Sequence, residues 1–155
     1  MRKRRKGHII NFSSLLGFIG FSGMAMYSAS KFAVEGFSES LAKEVAHLGI
    51  HVTLIEPGGF RSDFAGGSLA TSSLSISDYD ASSGVTRNAM KTRHGTQPGD
   101  PAKLALALYE LTRLTSPPLR LPLGPDAWQQ VSDKAGFVTA EVERWKDISF
   151  STSFQ

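Results

Sequence analysis

The feature that most constrains this chain of 155 residues is a strand, long helix, strand pattern in its first third. His8-Ile9-Ile10-Asn11-Phe12 is a short apolar run between Gly7 and Ser13-Ser14, which predicts a buried strand. From about Ala25 to Leu48, Ala29, Ala33, Phe37, Leu41, Val45 and Leu48 recur every three or four positions. That spacing predicts a helix with one apolar stripe. Glu35, Glu39 and Lys43 follow one another four residues apart and predict its exposed face. Gly49 suits the C-cap. His51-Val52-Thr53-Leu54-Ile55 reads as a second strand, ended by Pro57-Gly58-Gly59. Such a βαβ unit predicts parallel pairing with a right-handed crossover.

The rest of the chain extends this α/β reading. Leu15–Met24 holds three glycines and reads as a loop. The stretch 64–99 is rich in Ser, Gly, Ala and Thr with little periodicity, the pattern of a functional loop or lid. Asp100-Pro101 opens a further helix, as N-cap and first helical residue. Leu104, Leu108, Leu111 and Leu114 are expected on its core side, and Pro117-Pro118 ends it. Leu119–Leu123 reads as a short edge strand, because Pro122 would not suit a central one. Asp126 to Lys146 carries a weaker helical pattern.

Charge and composition exclude several classes. Apolar residues make up 41% and charged residues 20%, which is globular rather than disordered or fibrous composition. There is no cysteine, so a disulfide scaffold, a thiolate metal site and a cysteine nucleophile are excluded. The net charge is +3, yet Arg2–Lys6 holds five of the 17 basic residues, so the remainder is slightly acidic. This argues against a nucleic-acid partner. The basic start followed by apolar sequence has three readings: a signal peptide, a localisation or nucleic-acid patch, and a solvated end leading into a strand. The last is preferred, since His8, Asn11, Ser13 and Ser14 interrupt the apolar run. No apolar run is long enough to predict a membrane span. His8, His47, His51 and His94 read as non-ligands, and no metal site is expected.

Three side chains gather at one edge of the predicted unit. Ser14 lies just past the first strand. Tyr27 and Lys31 sit one turn apart near the start of the long helix, on one face. Open α/β sheets carry their chemistry beyond the carboxyl ends of the strands. A phenol is a weak acid, and an ammonium one turn away favours its phenolate. A serine hydroxyl can hold a carbonyl or alkoxide oxygen beside it. The three could move a proton at a substrate oxygen while a hydride moves at carbon. No side chain donates hydride, so the scheme requires a nicotinamide.

The run Tyr27-Ser28-Ala29-Ser30-Lys31, with Asn11-Phe12-Ser13-Ser14 before it, resembles the active-site signature of the short-chain dehydrogenase/reductase family. Pro57-Gly58-Gly59-Phe60-Arg61-Ser62 is similar to the family's Pro-Gly-x-x-x-Thr segment, with Ser62 keeping the hydroxyl. The likeness is close over about residues 7–63, and the order of elements fits to about residue 124. It implies an α/β fold, the C-terminal half of a doubly wound parallel Rossmann-type sheet with flanking helices. It implies an NAD(P)-dependent oxidoreductase interconverting an alcohol and a carbonyl. By position, Tyr27 would be the general acid/base, Ser14 would polarise the substrate oxygen, and Lys31 would bind the nicotinamide ribose and act on Tyr27. Tyr27, Lys31, Pro57, Gly58 and Ser62 would contact the cofactor, NADP or NAD. A homo-oligomer through the long helix and a cytoplasmic location are further expectations.

The chain departs from the family at its start. A glycine-rich turn after a strand, the usual seat of the pyrophosphate, is missing; Gly17, Gly20 and Gly23 have the wrong spacing and the wrong place. The family's Asn-Asn-Ala-Gly segment and catalytic asparagine are missing too. The chain is expected to begin near the family's fifth strand: residues 1–124 as a partial Rossmann domain lacking its cofactor half, and 125–155 as a helical extension of it. Alone it is expected to be inactive and poorly stable or associating. The alternative is a truncated, non-catalytic protein that binds a partner through its sheet edge and long helix.

Overall fold

Strand β2 (Ile50–Pro57) is the axis of the structure, a computed structural model that describes residues 1–66 and 68–154. It pairs in parallel with β1 (Gly7–Phe12) on one side and β3 (Arg120–Leu123) on the other, giving the order β1-β2-β3. Gly7 stands opposite Ile50 and Phe12 opposite Ile55, while Leu54 stands opposite Arg120 and Pro57 opposite Leu123. A parallel strand flanked on both sides is buried on both faces, and the run Val52–Glu56 is buried throughout. The expected edge strand is present, and Pro122 lies in it, where a missing N–H donor is tolerated.

Helix α1 (Ala25–Val45) makes the crossover. A 3-10 turn (Ala46–Leu48) and Gly49, at φ +66°, close it. The backbone of Arg5 passes so near Gly49 that a side chain there would strike it, so Gly49 serves both conformation and space.

The inward face of α1 is not the one its sequence predicts. Of the predicted stripe, Ala29, Ala33 and Phe37 are exposed and Leu41, Val45 and Leu48 are half-buried, whereas Ser28, Glu35 and Ser38 are buried. Glu35, expected in water, faces the sheet with only 4% of its surface accessible. The cause is Arg120 on β3. Its Nη1 donates to Glu35 Oε2 at 2.5 Å and to Glu56 Oε1 at 2.6 Å. Its Nη2 donates to Glu39 Oε1 at 2.6 Å. Its guanidinium also lies 5.2 Å from the centre of the Phe18 ring. A charge-assisted cluster thus takes the place of an apolar helix–sheet contact. Asn11 adds to it by donating through Nδ2 to Ser38 Oγ at 2.9 Å.

Burial, with Glu35 nearby, pushes the Glu56 carboxyl up to about 7, although Arg120 opposes the shift. Glu39 is held below its ordinary value by its hydrogen bond to Arg120. For Arg120, burial weighs against the charge, but Glu39, Glu56 and Glu35 outweigh it and hold the guanidinium protonated.

The described part of the stretch 64–99 is more ordered than its sequence predicts. A π-helical turn (Asp80–Gly84) leads into α2 (Val85–Arg93). Only Thr86, Arg87 and Met90 of α2 are half-buried, so the apolar periodicity was too sparse to read. Helix α3 (Pro101–Arg113) starts as expected, with the Asp100 side chain accepting from Ala102 N–H at 2.8 Å. Leu111 is buried and Leu104 and Leu108 are half-buried, but Leu114, just past the helix end, is exposed. Helix α4 (Pro125–Arg144) buries Ala127 in its first turn and is solvent-exposed from Ala135 onward, as is α5 (Lys146–Ser151). Among the described residues no helix is long and apolar enough to cross a membrane.

Candidate active site

The carboxyl ends of β1, β2 and β3 open onto one cleft of about 460 Å³. Ser14, Tyr27, Pro57, Gly58 and Ser62 all line it, so the fold gathers five of the six residues singled out from sequence. The sixth, Lys31, stands beside the cleft and is not among its lining residues. Its Nζ lies 5.8 Å from the centre of the Tyr27 ring and donates to the Phe12 carbonyl at 3.1 Å. The tyrosine ring packs on Phe64, with centres 5.1 Å apart.

Local structure explains how each group is held. Ser14 precedes a 3-10 turn (Leu15–Gly17) and its Oγ accepts from Leu16 N–H at 3.1 Å. Ser62 does the same for the turn Asp63–Ala65, accepting from Phe64 N–H at 3.4 Å. Each hydroxyl is fixed by the bond it accepts and keeps its own proton for donation into the cleft. Tyr27, Lys31, Glu35 and Glu39 form one row along α1, four residues apart. The row begins at the cleft and ends at Arg120, so the buried charge cluster anchors the helix that presents Tyr27.

Other cleft residues went unread in the sequence. Arg93, Gln97 and Asp126 all line it, the last from the first turn of α4. Asp126 Oδ2 accepts from Gly59 N–H at 2.8 Å. Asp126 Oδ1 and Gln97 Oε1 are buried without a protein partner among the described residues. A legible signal for Asp126 was present: Gly124-Pro125-Asp126 opens a helix directly after a strand, at the sheet edge where ligands bind. Apolar residues, among them Phe21, Met24, Phe64, Met90 and Leu104, complete the walls. No group of three His, Asp or Glu residues among those described could hold a metal ion.

This parallel sheet, with a cleft at its carboxyl edge, is the architecture of a Rossmann-type α/β protein. The short chain dehydrogenase family model matches residues 1–72. An oxidoreductase of Botryotinia fuckeliana, BOA17, is 37% identical over 153 residues, which is 99% of this chain and 56% of that protein. A short-chain dehydrogenase from Streptomyces avermitilis has a solved structure that superimposes with a TM-score of 0.87 at 40% identity. It covers 99% of this chain and 55% of its own. A serine dehydrogenase solved with NADP+ superimposes with a TM-score of 0.60 at 26% identity, over 81% of this chain and 46% of its own. The chain belongs to the short-chain dehydrogenase/reductase family. It spans about half the length of these relatives.

The residues present fit the nicotinamide end of a dinucleotide. Pro57, Gly58 and Ser62 line the cleft together, and the Ser14 and Ser62 hydroxyls keep a proton for a ligand there. Nothing in these 155 residues matches a glycine-rich pyrophosphate turn.

Proposed function

We propose that this chain carries the proton-transfer and nicotinamide-side residues of an NAD(P)-dependent oxidoreductase that interconverts an alcohol and a carbonyl. The observation that carries the reading is the convergence of Ser14, Tyr27 and the 57–62 turn on one cleft, with Lys31 beside the tyrosine. The nicotinamide, NADP or NAD, supplies hydride transfer when bound. Pro57, Gly58 and Ser62 would hold its ring side, and Lys31 its ribose. The Ser14 hydroxyl donates a hydrogen bond to the substrate oxygen and orients it. Tyr27 gives a proton to that oxygen in reduction and takes it back in oxidation. Lys31 holds its ammonium beside the tyrosine ring, 5.8 Å from its centre. The apolar walls exclude water from the reacting carbon and suit a substrate of largely apolar body.

Residues 125–155 act in this reading as an extension of the same domain as 1–124. A cytoplasmic location and a homo-oligomer through α1 belong to the same proposal. Met26, Phe32 and Phe37 are exposed on that helix, and they support the oligomer. They also support a second reading, in which the chain is non-catalytic and binds a partner protein through α1 and the β1 edge.

Turnover with carbonyl substrates and either reduced nicotinamide separates the two. It is measured on a polypeptide joining these residues to a dinucleotide-binding half, with the 155-residue chain assayed beside it. The joined protein should turn over and the shorter chain should not. Tyr27→Phe should lower turnover by about 10²–10⁴-fold with cofactor affinity nearly unchanged, and Lys31→Ala should impair both. Near-normal turnover by the Tyr27→Phe protein would end the proton-transfer role of Tyr27.

A further inference from the structure

Helix α4 carries an apolar seam that the body of the chain leaves uncovered. Trp128, Val131, Ala135, Val138 and Val142, with Trp145 at the C-cap, recur at alternating steps of three and four. That is the 3.5-residue repeat by which two helices wind around each other. Val131 is half-buried and the other five are exposed. The body holds α4 by its first turns, where Ala127 is buried and Lys134 is the last half-buried residue. From Ala135 onward the helix is exposed on every side. This free half is a poor helix by itself. Gly136 interrupts it, and glycine weakens a helix interior. Helices in proteins are held chiefly by packing an apolar face, and the seam is the face available for that.

Laid antiparallel on itself, the seam matches layer by layer. Trp128 comes opposite Trp145 of the second copy, Val131 opposite its Val142 and Ala135 opposite its Val138, each twice by symmetry. The flank matches too. Lys134 and Glu141 stand one heptad apart beside the seam, and the antiparallel pair brings Lys134 of each copy beside Glu141 of the other. Within the chain neither has an ion-pair partner among the described residues. Lys134 Nζ lies instead 5.0 Å from the centre of the Phe137 ring. A parallel pair would set Ala135 on Ala135, an underfilled layer. It would also bring both bodies to the same end of the two helices, whereas the antiparallel pair keeps them at opposite ends.

We propose that α4 is a self-association surface, on which the seam of one copy lies antiparallel on the same seam of a second copy. This surface is separate from the exposed apolar residues of α1, and it stands whether or not the enzymatic reading does.

Disulfide trapping and sedimentation velocity on the 155-residue chain test it. The chain has no cysteine, so introduced thiols are the only ones. Oxidising a mixture of Val131→Cys and Val142→Cys chains should give mainly the mixed dimer. The antiparallel pair puts position 131 beside position 142 and holds like positions roughly 16 Å apart along the helices. A predominance of the two like-with-like dimers, or no linked dimer, overturns the proposal. In sedimentation the wild type should dimerise, and Val138→Asp should weaken dimerisation at least about tenfold. Glu141→Lys changes an exposed residue of the free half, so the fold should stand, and it sets two lysines side by side. It should weaken dimerisation about three- to tenfold, and adding Lys134→Glu should restore it. Failure of the double swap to restore it overturns the antiparallel register. A dimer unmoved by Val138→Asp belongs to another surface and overturns the proposal. So does a wild type that stays monomeric at high concentration, which would leave the seam to a different molecule.

Discussion

The two faces of α1 are reversed relative to ordinary helix packing. The face on the sheet carries Ser28, Lys31, Glu35 and Ser38, while the face toward solvent carries Met26, Phe32 and Phe37. Burying apolar side chains is the usual way to seat a helix, at about 25 cal/mol per Å². Here the sheet side is seated by charge and hydrogen bonds. The difference teaches that α1 is placed by geometry: hydrogen bonds fix where Tyr27 and Lys31 stand in a way that apolar contact, being non-directional, does not.

The largest effect should come from removing Arg120, the cation at the centre of the buried cluster. Arg120→Met would leave Glu35 and Glu56 buried without their counter-charge. Breaking such a buried cluster from one side costs about 3–5 kcal/mol. Urea unfolding should show that loss. A change under 1 kcal/mol would mean that apolar contacts seat the helix after all.

The next effect is a pH dependence from Glu56. Its carboxyl stands at about 7 in the folded chain against an ordinary 4.5, so the folded state binds the proton more tightly. The stabilisation is therefore complete below about 4.5 and is lost as the pH rises to about 7. The amount is on the order of 3 kcal/mol. Glu39 works in the opposite direction, but its side chain is 43% exposed and its share is small. The difference in unfolding free energy between wild type and Glu56→Gln should fall across that window. A difference that rises with pH would show that Arg120 dominates the site.

A smaller effect tests a single bond. Ser38→Ala removes the acceptor of Asn11 Nδ2 and leaves a half-buried amide unpaired. The expected loss is about 1 kcal/mol in urea unfolding. No loss would place Asn11 in contact with water instead.

Much of this arrangement was legible in the sequence, and the misreadings share one cause. Both strands of the βαβ unit, the C-cap at Gly49, the start of α3 and the edge strand stand where local patterns put them, because turn residues and periodicity act locally. Family membership was legible too, from Asn-x-Ser-Ser and Tyr-x-x-x-Lys at a fixed spacing. The inward face of α1 was misread because its partner, Arg120, lies 85 residues from Glu35, and periodicity counts hydrophobicity without knowing where a cation will stand. Asp126 was missed for a similar reason. Its partner Gly59 is 67 residues away, and an acid after Pro125 looks like ordinary helix-start chemistry.

The smallest effect on folding belongs to the outward face, and it is the most telling for function. Phe37 is 63% exposed and is the neighbour of buried Ser38. Phe37→Ser removes little buried area, so the unfolding free energy of the monomer should change by less than about 0.5 kcal/mol. If α1 joins two copies, the same change should weaken association at least about tenfold, because an aromatic residue at the centre of an interface contributes strongly. Sedimentation velocity over a range of concentrations reads this directly. A wild type that stays monomeric at high concentration would remove the second copy as the cover for this face. A wild type that associates and is unmoved by Phe37→Ser would place the contact elsewhere, with the exposed residues of α4 and α5, such as Phe137 and Phe150, next in line. Adjacent residues on one helix thus give opposite expectations, a fold-stability loss without loss of association at Ser38 and the reverse at Phe37. That opposition is what a helix seated by polar contacts on one side and covered by apolar ones on the other requires.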